Sequence, residues 1–197
     1  MKSKYIYFIS HPDVEIDANI PVTRWGLSDK GRARFQSFLS ESLIANITSV
    51  YCSDEQKAID GAQMLADHLD LNYQIIAELG ENDRSSTGYL VAEEFEHVAN
   101  QFFANPDTSV RGWETANDAQ QRIVQAVTEI GACDQSDGSV AIISHGAVGT
   151  LLYCYLNNHR IDRRWDQPGT GGGNMLKIEL GAVISCTWWQ PIDQPLR

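Results

Sequence analysis

Apolar positions along the chain follow two alternating rhythms, short continuous runs and stripes at helical spacing. Tyr5-Ile6-Tyr7-Phe8-Ile9 is a compact apolar run rich in β-formers, which predicts a buried strand. Ser28 stands where a helix cap is needed. Behind it, from Asp29 to Ile47, residues Ala33, Phe35, Phe38, Leu39, Leu43 and Ile47 form a rough helical stripe. Thr48 to Cys52 predicts a second strand. Ser53 then caps a second helix with the apolar face Ala58, Ala62, Leu65 and Leu69. Asn72 to Ile76 predicts a third strand. Between Glu78 and Arg111 the period weakens, leaving one helix from about Val91 to Phe103 between loops. Ala116, Ala119, Ile123, Val127 and Ile130 mark a long amphipathic helix, and Val140-Ala141-Ile142-Ile143 a buried strand. Val148, Leu151, Leu152 and Tyr155 begin another helix. Met175 to Trp189 alternates as one or two strands around Gly181, which predicts a hairpin.

Strands alternating with helices imply an α/β fold, a mainly parallel sheet covered on both faces as a three-layer α/β/α sandwich. No repeat, low-complexity tract or long Pro/Gly/Ser linker divides the 197 residues, so residues 1–197 are expected to form a single domain. Open α/β sheets bind ligands beyond the carboxyl ends of their strands. Three such ends carry chemistry here: Ser10-His11, Ser53, and Ser144-His145.

Composition narrows the function classes. At 43% hydrophobic and 21% charged, the chain is ordinary for a globular protein. No apolar run approaches the roughly 18 residues of a membrane span. The apolar stretch near Met1 is too short for a secretion signal and is followed at once by His11, Asp13, Glu15 and Asp17. Cys52, Cys133, Cys154 and Cys186 are far apart without a Cys-x-x-Cys pair, and are expected to be buried free thiols in a cytoplasmic setting. A net charge of −11 argues against a nucleic-acid partner, whose phosphates would be repelled. It also requires any phosphate pocket to concentrate its cations locally.

Taken singly, each candidate has an ordinary explanation. His11 alone reads as a turn histidine, but His145, in Ile143-Ser144-His145-Gly146, occupies the same position on another strand. Gly146 lets the backbone turn sharply and leaves room for a ligand at a helix start. Ser53-Asp54-Glu55-Gln56-Lys57-Ala58 places a cation one turn into a helix, a favourable site for a phosphoryl group. The same segment also fits a capped helix with a solvated lysine, and Asp54 and Glu55 fit acids that favour the helix dipole. Pro168-Gly169-Thr170-Gly171-Gly172-Gly173-Asn174 reads as a turn-rich connection in preference to an anion nest. Trp25, Trp188 and Trp189 read as packing or interface residues, compatible with a homodimer.

In order and spacing the pieces resemble the histidine phosphatase (phosphoglycerate-mutase-like) superfamily over nearly the whole chain. Ile9-Ser10-His11-Pro12 stands where members have a strand and Arg-His-Gly, and Leu27-Ser28-Asp29-Lys30-Gly31 matches their first helix start. Val50-Tyr51-Cys52-Ser53 with Lys57-Ala58 stands for the strand ending in Ser and the Arg-Ala helix. Leu79-Gly80-Glu81 supplies the loop glutamate, and Ile143-Ser144-His145-Gly146 the second histidine strand. Two departures concern the pocket cations. Ser10 and Lys57 occupy arginine positions, and lysine offers a point charge in place of a planar fork. Arg24 and Arg84, on flanking loops, are the candidates to replace them.

The resemblance implies a phosphoglycerate-mutase-like fold and hydrolysis of a small phosphorylated substrate. His11 would be the nucleophile that forms a phosphohistidine, and Glu81 the acid and base. His145 and Lys57 would stabilise the transferred phosphoryl group, with Ser10, Ser53, Arg24, Arg84 and Gly146 around the phosphate. It implies no metal and no other cofactor. A degenerate pocket that binds a phosphorylated ligand without turnover is the alternative.

Overall fold

The computed structural model describes residues 4–169, 171–179 and 185–194. Its centre is a mixed sheet in which the first four strands are parallel: β1 (Tyr5–Ser10), β2 (Ile47–Cys52), β3 (Tyr73–Ile75) and β4 (Ser139–Ser144). The C-terminal strands β5 (Asn174–Glu179), β6 (Ser185–Cys186) and β7 (Gln190–Pro191) are antiparallel additions. The order is β3-β2-β4-β1-β5-β6, with β7 also paired to β5. β1 and β4, the central pair, are buried along nearly their whole length, which is why their sequences are continuous apolar runs.

Alternate residues of each strand face opposite layers. Tyr7 and Ile9 of β1 and Ala141 and Ile143 of β4 pack against α1 (Asp29–Phe38) and α2 (Gln56–Leu69). Ile6, Phe8, Val140 and Ile142 face the other way, toward α3 (Ala92–Ala104), α4 (Ala116–Cys133) and α5 (Gly146–Leu156). The two clusters make the expected three-layer sandwich.

Several local expectations are corrected. α1 ends at Phe38 rather than running to Ile47, because a tightened turn follows, with Ser40 N–H donating to Ser37 O and Glu41 N–H to Phe38 O. A 3-10 segment, Ser42–Asn46, then delivers Ile47 into β2, so the apolar positions beyond Phe38 serve different elements. Ser28 does cap α1, accepting from Gly31 N. Ser53 does not cap α2, which starts at Gln56 with Glu55 at the cap position. The arms of the expected C-terminal hairpin pair as β5 and β6, while Gly181 lies outside the described residues. Of the four free cysteines, Cys52 and Cys154 are buried, but Cys133, at the end of α4, is exposed. Trp25 and Trp189 are buried, and Trp188 is exposed with its edge against Tyr153. No helix is long and apolar enough to cross a membrane among the described residues.

Candidate active site

The parallel register aligns Ser10 of β1 with Ser144 of β4, so the next residue of each strand emerges at the same sheet edge. His11 N–H donates to Ser144 O at 2.9 Å, and the His11 and His145 rings meet edge to face with centroids 5.1 Å apart. β2 is paired on the far side of β4, where Ser53 N–H donates to Ile143 O, and this brings Ser53 to the same edge. Its hydroxyl lies 2.7 Å from His145 Nε2 and also accepts Glu55 N–H at 3.4 Å, one residue ahead of α2.

His11 has a defined tautomer. Its Nδ1 lies 2.9 Å from Pro12 O, and a carbonyl can only accept, so Nδ1 carries the proton and Nε2 keeps its lone pair. Burial, reinforced by the nearby Lys57 charge, pushes its pKa down to about 4, so the ring is neutral near neutral pH. His145 is fully buried, and burial holds it well below the usual histidine value even though the Glu55 carboxylate favours its cation. Its Nε2 is also 3.3 Å from Glu55 Oε1.

Lys57 and Glu55 depart most from expectation. Lys57, expected to face the phosphoryl group, with a solvated helix residue as the alternative, is buried. Its ammonium pairs with Glu55 Oε2 and donates to Val22 O at 3.0 Å, so its charge is matched within the protein. Glu55, assigned from sequence to a helix start, is a buried part of the site. Its Oε1 accepts Glu81 N–H at 3.0 Å. Burial works against its ionisation, but His145, Lys57 and that N–H outweigh it and hold the carboxyl at about 2.

Glu81 lies against the start of α5, directly after His145. Its carboxylate accepts Val148 N–H at 3.1 Å, Ala147 N–H at 3.3 Å and Asn82 N–H at 3.2 Å. Burial raises its pKa, with Arg84 the leading influence in the other direction. The loop that carries it is braced by Arg122, which donates to the carbonyls of Glu78, Gly80 and Glu81 and pairs with Glu114. A cavity of about 660 Å³ opens on this loop, lined by Val22, Thr23, Asp54, Glu55, Glu81 and Arg84 among others, a size ordinary for small-molecule sites.

The two candidate arginines separate. Arg84 is partly buried on the cavity wall, its guanidinium 5.0 Å over the Phe95 ring, with no ion pair among the described residues. It acts electrostatically on His11, His145 and Glu81. Arg24 is exposed and is not among the residues that line the cavity.

Ser10 is fully buried and faces protein. Its hydroxyl donates to Gln167 Oε1 at 2.6 Å, lies 3.2 Å from Asn174 O, and accepts Asn174 N–H at 3.0 Å. Gln167 also accepts from Asn174 Nδ2 at 3.0 Å. The space that Gly146 leaves is taken by this side chain, for a Cβ at Gly146 would lie 2.1 Å from Gln167 Nε2. The glycine segment packs under the nucleophile candidate. Gly173 N–H donates to His11 O, and a Cβ at Gly172 would lie 2.1 Å from that same oxygen, so the turn reading holds for the described glycines; Thr170 lies outside the described residues.

Sequence reasoning missed Glu55 and Gln167 as site residues, along with Asn82, whose buried Nδ2 has no partner among the described residues and which lines the cavity. Glu55 carried one usable signal, an acid two residues before the sole cation of its segment. Gln167 carried none, being 157 residues from Ser10. Among the described residues no group of three His, Cys, Asp or Glu side chains is placed to hold a metal ion.

Solved structures with the same fold include a mycobacterial glucosyl-3-phosphoglycerate phosphatase in complex with inorganic phosphate, at 18% identity and TM-score 0.74, covering 98% of this chain and 100% of that one. YhfR of Bacillus stearothermophilus matches at 18% identity and TM-score 0.77, covering 92% and 93%. A mutant phosphoserine phosphatase from Entamoeba histolytica in complex with phosphoserine matches at 14% identity and TM-score 0.78, covering 96% and 98%. No curated protein matches the sequence. The family model of the histidine phosphatase superfamily, branch 1, matches residues 6–181, nearly the whole chain, and with the paired strand-end histidines in place the chain belongs to that superfamily.

Proposed function

We propose that the protein hydrolyses phosphomonoesters through a phosphohistidine on His11. The observation that carries this reading is the histidine pair, with ring centroids 5.1 Å apart and His11 Nδ1 held by the Pro12 carbonyl, so that a neutral Nε2 lone pair is available. In the first step Nε2 forms a bond to phosphorus as the ester P–O bond breaks, and Glu81 gives the leaving oxygen its proton. In the second, Glu81 takes a proton from water, whose oxygen attacks phosphorus and breaks the N–P bond, releasing phosphate and regenerating His11. Burial that raises the Glu81 pKa suits a carboxyl that must hold a proton and return it. His145 and Arg84 meet the charge on the equatorial oxygens. The phosphatases among the structural neighbours support the coarser statement, a phosphatase-like protein.

A second reading, phosphate-ligand binding without turnover, is favoured by one observation. At both positions where the superfamily carries pocket arginines this chain supplies no free cation, since Ser10 is bonded to Gln167 and Lys57 is paired with Glu55. Hydrolysis of a generic aryl phosphate by wild type and His11→Ala, across pH without added metal, tests both. Turnover that the variant loses selects the first. Absence of turnover, with inorganic phosphate still raising the melting temperature of wild type, selects the second.

A further inference from the structure

Asn82 is a buried amide left open on the wall of the cavity. It is 4% exposed, its Nδ2 has no hydrogen-bond partner among the described residues, and it lines the cavity directly after the acid Glu81. Buried polar atoms are seldom left so, and each unmatched one carries a desolvation cost. The loop is also pinned on both sides, so it cannot turn to supply a partner. Asn82 N–H donates to Glu81 Oε1 at 3.2 Å, and Arg122 holds the carbonyls of Gly80 and Glu81. One residue on, Asp83 N–H donates to Glu114 Oε2 at 3.1 Å, and Asp83 O accepts Glu114 N–H at 2.8 Å. A polar group fixed in place and unmatched on a cavity wall is set to orient a ligand.

The charges of the cavity narrow what that ligand can be. Of the carboxylates that line it, Glu55 is matched by Lys57 and Glu114 by Arg122. Arg84 is engaged by the phosphoryl group on the reading above. Asp54, Asp83 and Glu81 remain, so the space beyond the phosphoryl group is negative and disfavours a second phosphate or a carboxylate. The Asn82 amide nevertheless needs a polar partner. An amide presents both a donor and an acceptor, and a hydroxyl can answer either without bringing a charge. Building on the phosphoryl-site reading above, we propose that Asn82 selects the alcohol half of the ligand. The protein takes phosphomonoesters of neutral, hydroxyl-bearing alcohols, of the polyol or sugar kind, whose free hydroxyl bonds the Asn82 amide beside Glu81. Esters that carry a second anion are rejected.

Phosphonates, whose carbon–phosphorus bond is not hydrolysed at such a site, test this by calorimetry whether or not the protein turns esters over. 3,4-Dihydroxybutylphosphonate, n-butylphosphonate and 4-phosphonobutanoate share one chain and differ in hydroxyl, methyl and carboxylate ends. Wild type binds the dihydroxy compound about tenfold more tightly than n-butylphosphonate, and the carboxylate most weakly of the set. Asn82→Leu keeps the volume and removes the amide. It reduces the preference for the dihydroxy compound to within about twofold, while its affinities for n-butylphosphonate and inorganic phosphate stay within about twofold of wild type. Without ligand its melting temperature is unchanged or higher, because an unmatched polar group has been removed. Equal binding of the dihydroxy and butyl compounds by wild type, or tightest binding of the carboxylate, overturns the proposal. So does a preference that persists in Asn82→Leu, or a fall of several degrees in its melting temperature, which assigns the amide to the fold. In each of these cases inorganic phosphate still binds wild type and the phosphoryl site stands. No binding of inorganic phosphate or of any phosphonate by wild type overturns both. If Asn82→Leu does not fold, the amide is structural and the proposal falls with it.

Discussion

Replacing Lys57 by methionine isolates the energetics of the buried ion pair. The Lys57 and Glu55 side chains are only 3% and 9% exposed, so neither charge can be rescued by bulk water. Methionine fills a similar volume but leaves Glu55 without its cation. Removing one partner of a buried pair costs about 3–5 kcal/mol. The lower end applies here, about 3 kcal/mol, because Glu55 keeps the Glu81 N–H at 3.0 Å and His145 Nε2 at 3.3 Å. The pH dependence has a definite sign. In wild type the Glu55 pKa is depressed to about 2, so its contribution is present above the ordinary carboxylate value and is lost as pH falls toward the folded value. In Lys57→Met, burial dominates and the folded pKa rises, so protonation relieves the unpaired charge. The stability deficit measured by urea unfolding therefore shrinks between about pH 8 and about pH 5. Adding Glu55→Gln to Lys57→Met recovers most of the loss, because no charge is then left unpaired. A deficit below about 1 kcal/mol, or one that stays constant across that pH range, refutes the buried pair.

Three further outcomes are expected. Gly146→Ala displaces Gln167, whose bonds to Ser10 and Asn174 are 2.6 and 3.0 Å; at about 1 kcal/mol each, less the helix preference of alanine, the net loss is about 1 kcal/mol. That lowers the melting temperature by about 2–4 °C, and a Gln167→Ala background abolishes the effect; an unchanged melting curve in Gly146→Ala contradicts it. Arg84→Ala weakens inorganic phosphate binding by about tenfold, whereas Arg24→Ala changes it by less than about twofold, as read by phosphate-dependent shifts in melting temperature; equal effects would remove the distinction between the two arginines. Acid weakens the fold through His11. Its folded pKa, about 4 against an ordinary 6.5, makes a contribution that is present above the ordinary value and lost as pH falls through the folded one, about 3 kcal/mol in all. His11→Asn loses correspondingly less stability over that range, and parallel curves for the two proteins would show that the His11 ring is not held neutral by the fold.

The α/β alternation and the three loaded strand ends were legible in the sequence because burial writes a local periodic pattern. β1 and β4, buried on both faces, appear as unbroken apolar runs, and α4 shows its 3.6-residue period in Ala116, Ala119, Ile123, Val127 and Ile130. Once two parallel strands each end in Ser-His, sheet register alone sets the histidines side by side. Where apolar spacing fits two elements, the pattern gives no boundary. Leu43 and Ile47 continue the stripe of α1, yet the turn at Ser40 and Glu41 hands Ile47 to β2.

What the tertiary structure alone decided is the partner of each polar group. Ser53 has the sequence context of a helix cap and spends its hydroxyl on His145, 92 residues away. Glu55 looks like a solvated acid of a helix start and Lys57 like a cation for the phosphoryl group, but they lie beside Glu81 and His145 as a buried pair. Ser10 reads from the resemblance as standing at an arginine position, and only the folded chain shows Gln167 in the space beside it and Gly146. Helical and strand periods record which side of an element is dry, a property of neighbouring residues. The hydrogen bond that satisfies a buried hydroxyl, carboxylate or imidazole comes from whichever distant segment the sheet order brings within about 3 Å, and no local pattern encodes it.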